Sequence, residues 1–198
     1  FPSDIEDLAV GPCAAGSCLY VGAIGDNNLV RPSVKLTIVA EVDAFPAMEE
    51  AVKQINLKYG DGRAHNCEAM AVHPLTGDIF FLTKASSDPH VYKLTAQAVA
   101  SAVNGSTLTM KDIGTIDLGA LFESADETVT GMAIAPTGNK FAILTYSEIY
   151  EFSFDLSFWQ TAYTSQLLNV ERTQYKLRRL KQQEAIAYDS HNGSLHYT

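Results

Sequence analysis

Short apolar runs separated by turn residues organise this chain. Ile79-Phe80-Phe81-Leu82-Thr83 and Phe141-Ala142-Ile143-Leu144-Thr145 each follow a turn containing glycine, Leu75-Thr76-Gly77-Asp78 and Thr137-Gly138-Asn139. Val34 to Val42, Lys53 to Tyr59, His90 to Leu94 and Thr107 to Leu118 alternate apolar and polar positions. So do Glu148 to Phe154 and Thr173 to Leu180, and this period of two marks half-buried strands. Helical signals are few. Ala96 to Val103 is rich in small residues and predicts one short helix, and Ser157 to Gln166 predicts another. No run of strand, long helix and strand suggests a parallel sheet.

The strands recur as a repeat. Glu6-Asp7-Leu8-Ala9-Val10-Gly11-Pro12, Glu68-Ala69-Met70-Ala71-Val72-His73-Pro74, Thr130-Gly131-Met132-Ala133-Ile134-Ala135-Pro136 and Glu184-Ala185-Ile186-Ala187-Tyr188-Asp189 share one pattern. Their alanines, Ala9, Ala71, Ala133 and Ala187, are spaced by 62, 62 and 54 residues. After the last copy come Ser190-His191-Asn192-Gly193 and then Leu195-His196-Tyr197-Thr198. Four strands fit in each full period, which is the content of a propeller blade. The fold class expected is therefore all-β, a β-propeller of four-stranded antiparallel blades. The blades span about 1–60, 61–122, 123–181 and, as a half, 182–198. Loops such as Asp43 to Glu50 and Leu156 to Val170 absorb the length of the period.

About three and a half blades leave an open edge and cannot easily close a ring. A complementary chain from the same precursor, or a segment beyond this sequence, is expected to complete it, with self-association as a third source. Six blades, or alternatively five, are expected in the whole. The start at Phe1-Pro2-Ser3-Asp4, without an initiator Met, reads as a processed end or a boundary.

Composition narrows the partners. The net charge of −9 argues against a nucleic-acid ligand, which needs a basic face, and favours cationic partners or metal ions. The apolar runs are too short to span a bilayer as helices. Of three cysteines, Cys13 and Cys18 flank the turn Ala14-Ala15-Gly16-Ser17 and are placed to bridge a hairpin. The sequons at Asn104 and Asn192 add to that pair in favour of a secreted glycoprotein, although Asn-Gly is also a preferred hairpin turn. Cys67 is left as a buried thiol or as the partner of a cysteine elsewhere.

The candidate chemistry follows from the repeat. First strands line a propeller's channel, so Glu6, Glu68 and Glu184, at one repeat position, should converge, with Thr130 in place of the acid on the third blade. Converging carboxylates raise one another's pKa or recruit a cation, and calcium suits them, with Asp26 and Asn27 as further oxygen donors. The competing account has each Glu holding neighbouring blades together. Glu68 and Glu184 are also the candidates for a catalytic general base. His65, His73, His90, His191 and His196 lack metal-ligand spacing, and His65 and His73 are expected in surface or loop roles. Lys176, Arg178, Arg179 and Lys181 read as a solvated basic edge. Gly22-Ala23-Ile24-Gly25-Asp26 has no following helix and is not a phosphate loop, and no Gly-x-Ser-x-Gly elbow is present.

Glu6 to Pro12 followed by Leu19-Tyr20-Val21-Gly22-Ala23-Ile24-Gly25-Asp26-Asn27 resembles the signature of a sparsely characterised group of secreted β-propeller proteins. Glu68 to Val72, Thr76-Gly77-Asp78 and Glu184 to Tyr188 fit its later blades. The group usually has an aromatic residue where Ile5 stands and an Asp where Ala23 stands, and its members carry a further blade before this motif and a completed last blade. It is more distantly similar to calcium-dependent propeller hydrolases, the lactonases, paraoxonase-like enzymes and propeller phytases. Two functions follow as expectations: a secreted binding or structural module, or a calcium-dependent hydrolase of lactonase or phosphoesterase type using channel carboxylates. Ala23 and Thr130 both thin the carboxylate ring and favour the first.

Overall fold

A computed structural model of the chain describes residues 4–14, 16–42, 51–85, 88–122, 128–159, 167–178 and 183–198. The first blade is an antiparallel meander of β1 (Asp7–Cys13), β2 (Gly16–Ala23), β3 (Val34–Ala40) and β4 (Lys53–Tyr59). The second comprises β5 (Cys67–Val72), β6 (Ile79–Thr83), β7 (His90–Leu94) and β8 (Thr107–Thr115), and the third β9 (Val129–Ile134), β10 (Phe141–Thr145), β11 (Glu148–Phe152) and β12 (Arg172–Lys176). A hairpin of β13 (Ile186–Tyr188) and β14 (Leu195–Tyr197) follows. The fold is a partial β-propeller of four-stranded meanders.

The repeat register is the register of the sheets. Ala9, Ala71, Ala133 and Ala187 each sit on a first strand opposite a second-strand residue, Tyr20, Phe80, Ala142 and His196. First strands lie beside one another, β1 against β5, β5 against β9, and β9 against β13. Alternation then gives every blade two faces. On one, Met70, Val72, Ile79 and Phe81 of the second blade pack against Tyr20, Leu36, Ile38 and Ile55 of the first. Met132, Phe141, Ile143 and Phe152 of the third blade pack in the same way on Ala71, Phe80, Leu82 and Val91 of the second. Ile186, Tyr188 and Leu195 pack on Ala142, Leu144 and Ile149.

One pairing departs from separate blades. The outer strands of the first two run parallel and bond to each other, Asn56 to Tyr59 opposite Thr107 to Met110, so the two blades form a single eight-stranded sheet. Gly60 permits the approach, since a Cβ there would lie 2.5 Å from the Met110 carbonyl oxygen. The expected helix at 96–103 is α1 (Ala96–Ser101), with Thr95 accepting a hydrogen bond from the Ala98 amide as its N-cap. The other expected helix is a 3₁₀ turn at Leu156–Phe158, and residues 160–166 lie outside the described residues, as does the loop 43–50. The strand expected to reach Leu118 ends at Thr115, because Asp117 caps a single helical turn, α2 (Leu118–Leu121).

The Cys13–Cys18 disulfide forms across the β1–β2 hairpin. Cys67 is a buried free thiol whose Sγ lies 3.2 Å from the Leu82 carbonyl oxygen, and burial pushes its pKa up to about 12. Among the described residues no helix is long and apolar enough to cross a membrane.

Candidate functional site at the ends of the first strands

Glu6, Glu68 and Glu184 stand just before or at the start of three first strands, and side-by-side packing of those strands brings their charges together. Burial, followed by the negative charges of Glu68, Asp4 and Glu184, pushes the Glu6 carboxyl up to about 7, against a partial offset from Lys84. Glu6 and Asp4 both crowd Gly25: a Cβ there would come within 2.6 Å of Asp4 Oδ2 and would overlap Glu6 Oε1. Glu184 is exposed, whereas Glu68 is 6% exposed. Thr130, at the acid's position on the third blade, is buried, and its hydroxyl is directed to the Leu144 carbonyl.

A cation from the chain itself enters this cluster. Lys84 Nζ lies 2.7 Å from Glu68 Oε2 and donates to Oε1 at 2.9 Å and to the Tyr146 hydroxyl at 2.9 Å. Burial pulls the Lys84 ammonium down, but Glu68 and Tyr146 outweigh it and hold the pKa above the usual lysine value. Asn66 Nδ2 donates to Glu68 Oε1 at 3.1 Å and to Asn27 Oδ1 at 3.2 Å, and its Oδ1 accepts from the Asp26 amide at 2.7 Å. Glu68 therefore spends its charge on a bond to the next strand and a link to the first blade's loop.

Asp26 has a separate task. Its Oδ1 accepts from the Val30 amide at 3.1 Å and its Oδ2 from the Arg31 amide at 2.8 Å, so both oxygens fold the 26–31 loop. Asp4, Ala23, Asp26, Asn27, Arg31 and Lys35 line a cavity of about 810 Å³ beside that loop. Among the described residues no three His, Cys, Asp or Glu side chains are grouped so as to hold a metal ion. Of the carboxyls expected as calcium donors, Glu68 is committed to Lys84 and Asp26 to loop amides, which leaves Glu6, with Asp4 beside it, and the exposed Glu184.

Beneath the cluster, Asp7 takes the position that alanine or glycine holds in the other copies. Its Oδ2 accepts from the Met70 amide at 2.7 Å, and the Leu8 and Met132 amides also bond to the carboxyl. It thus pins the first strands of three blades. Burial dominates those hydrogen bonds and pushes the carboxyl up to about 8.

The histidines divide. His73 is not a surface residue: it is 1% exposed, its Nδ1 accepts from the Leu75 and Thr76 amides, and its Nε2 donates to Asp155 Oδ1 at 3.0 Å. This strut joins the second blade to the third. His65 and His90 pack with Tyr59 and Tyr92 near the parallel junction, paired with Asp61 and Asp112. His191 and His196 are exposed on the terminal hairpin. Lys176 and Arg178 are exposed, and Arg179 and Lys181 lie outside the described residues. Asn104 and Asn192 are exposed in turns.

Lys84, Tyr146 and Asn66 were not among the residues singled out from the sequence. Ile24, Lys84 and Tyr146 share the position directly after the second strand, and a column of three unlike residues carries no shared pattern to mark a cation beside the acids.

No family model matches the chain, and no curated protein matches it by sequence. Among solved structures it is similar to the Dos1 propeller, at 12% identity over 98% of this chain and 42% of that one, with a TM-score of 0.48. It is similar to Sqt1 from Chaetomium thermophilum at 15% identity over 98% and 40%, with a TM-score of 0.48. A putative phosphatase from Bacteroides thetaiotaomicron matches at 16% identity over 79% and 34%, with a TM-score of 0.47. The chain spans at most 42% of the length of these three structures. The blade assignment rests on the sheet topology and repeat register.

Proposed function

We propose that the chain is a non-catalytic, secreted propeller module that binds or scaffolds, and that further propeller strands complete its ring. The observation that carries this reading is the Lys84–Glu68 pair at 2.7 Å. A general base must reach the proton it removes, and Glu68 is held by an ammonium and an amide instead. The internal cation also supplies what calcium would otherwise bring to converging carboxylates. Secretion is supported by the Cys13–Cys18 bridge and by the exposure of both sequon asparagines.

The calcium-dependent hydrolase is the second reading, and the Asp4–Glu6 pair beside Gly25 is what favours it. Calcium titration with thermal melting separates the two. The binding module is expected to show no calcium-dependent rise in melting temperature, and no lactone or phosphoester hydrolysis that Glu68→Gln or Glu184→Gln abolishes. A calcium-dependent rise that Glu6→Gln removes, accompanied by such hydrolysis, overturns it.

A further inference from the structure

A cavity of about 340 Å³ opens between the first and second blades, at the ends of β1 and β5 away from the acid cluster. Its first-blade wall includes the Cys13–Cys18 bridge, Tyr20, Ile38 and Val52, and its second-blade wall is the turn at 75–77 with α1. Both walls come from adjacent blades of this chain, so the cavity needs no further blade to form it. The fold also fixes the walls. The disulfide closes the β1–β2 hairpin, and the Tyr20 hydroxyl donates to the Pro12 carbonyl at 2.7 Å. Opposite, His73 Nδ1 accepts from the Leu75 and Thr76 amides and sets the turn. At Gly77, where φ is 73°, a Cβ would meet Ala96 Cβ at 3.1 Å and Pro12 Cγ at 3.5 Å, so hairpin, turn and helix meet there. Such a hollow is pre-formed, as ligand clefts usually are, and its volume lies at the lower end of their range of about 300–1,000 Å³.

Its chemistry is aliphatic with one charge. Val52 and Leu75, on opposite walls, are 53% and 70% exposed. Single exposed apolar side chains are ordinary, but two that flank one cavity offer a seat for an apolar tail. Lys53 is the one charged residue in the lining. Its Nζ donates to the Val99 carbonyl at 2.7 Å and to the Ala100 carbonyl at 3.0 Å. Those bonds hold the ammonium against α1 and use two of its three N–H groups. Among the described residues no carboxylate pairs with it, in a chain where acids outnumber bases 23 to 14.

We infer that this cavity binds a small aliphatic carboxylate, with its tail against Ile38, Val52, Leu75 and Val99 and its carboxylate accepting from the third N–H of Lys53. A charge-assisted bond of this kind is stronger than a neutral one, and an alcohol of the same shape forgoes it. The volume sizes the tail to a medium chain. The site is separate from the first-strand acids, so its test and the calcium titration fail independently.

Octanoate and octanol titrated into the 198-residue chain, followed by calorimetry and by methyl NMR signals, test it. Octanoate should bind saturably and shift the methyls of Val52, Leu75 and Val99, while those of the exposed Leu8 and Val10 stay in place. Lys53→Met should weaken octanoate binding roughly tenfold or more, the fold-change of one charge-assisted hydrogen bond, and leave octanol binding unchanged. Ala100 is exposed on α1 and lines the cavity, so Ala100→Trp should fill the hollow and abolish both, with circular dichroism confirming the fold. Octanoate that fails to bind, that binds Lys53→Met as well as wild type, that is indifferent to Ala100→Trp, or that shifts Leu8 and Val10 instead overturns the proposal. So does a peptide ending in leucine that displaces octanoate and binds more tightly, since the occupant is then a protein terminus.

Discussion

Val72 fills the space over Gly11 so fully that a single methyl added to Gly11 would overlap its Cγ1. Gly11 lies on β1 and is buried, and the atoms it would meet belong to the core between the first and second blades. Gly11→Ala is expected to destabilise the chain by about 1–3 kcal/mol, the usual cost of inserting a methylene into a packed core. Urea unfolding measures it. Gly11→Ala combined with Val72→Ala should recover part of the loss by returning the space, and a double variant no more stable than the sum of the singles would contradict the contact.

Lys84 and Glu68 form a pair that is 25% and 8% exposed at the side chains. Removing only the cation leaves Glu68 with an uncompensated buried charge. Lys84→Met is therefore expected to cost roughly 3 kcal/mol, the lower end for breaking a buried pair. Replacing both partners, Lys84→Met with Glu68→Leu, should cost clearly less, because no charge then remains to be desolvated. Chemical unfolding of the single and double variants checks the order.

Two carboxyls set a pH dependence. Burial raises Glu6 from 4.5 to about 7 and Asp7 from 3.8 to about 8. Each binds its proton more tightly folded than unfolded, so stability falls as pH rises between the two values and levels off above the folded one. Asp61 and Asp155 move the other way. For each, burial pushes the carboxyl up, but hydrogen bonds involving Arg63 and His65, or Ser157 and His73, outweigh it and hold the pKa below 3.8, so their contribution is complete above that pH. The melting temperature is thus expected to fall from pH 5 to pH 8. Asp7→Asn keeps an acceptor for the Met70 amide and should flatten that slope, and a slope unchanged in this variant would remove Asp7 as its source.

The repeat made the blades legible because alanine at one position and a Gly-turn at another recur whatever the loops do. It also placed Glu6, Glu68 and Glu184 near one another, since residues in one repeat column must share one end of neighbouring strands. It was silent on Lys84 and Tyr146, because that column holds Ile24, Lys84 and Tyr146, three different chemistries that no shared pattern marks. The parallel junction of β4 with β8 was hidden for another reason: a period of two reports that a segment is a strand and says nothing of which strand it joins. His73 does lie in the turn after β5, but its burial and its bond to Asp155, 82 positions away, leave no trace in the local pattern. Asp26 looked like a ligand by type, and only the loop geometry shows its oxygens bonded to the Val30 and Arg31 amides.

The hairpin disulfide should act locally. Cys13 and Cys18 are five residues apart and close the β1–β2 turn, so the loop removed from the unfolded chain is short and the stabilisation is roughly 2 kcal/mol on the loop-entropy account. Replacing both cysteines by serine is expected to lower the melting temperature while leaving the fold intact, because β1 also bonds to β2 as far as Asp7 and Gly22 and packs on β5. Hydrogen exchange tells where the loss falls. Faster exchange should be confined to the end of the hairpin near Pro12 and Ser17, with the Met70 amide held by Asp7 still protected. Exchange that spreads through β5 and β6 would show instead that the bridge supports the whole interface between the first two blades.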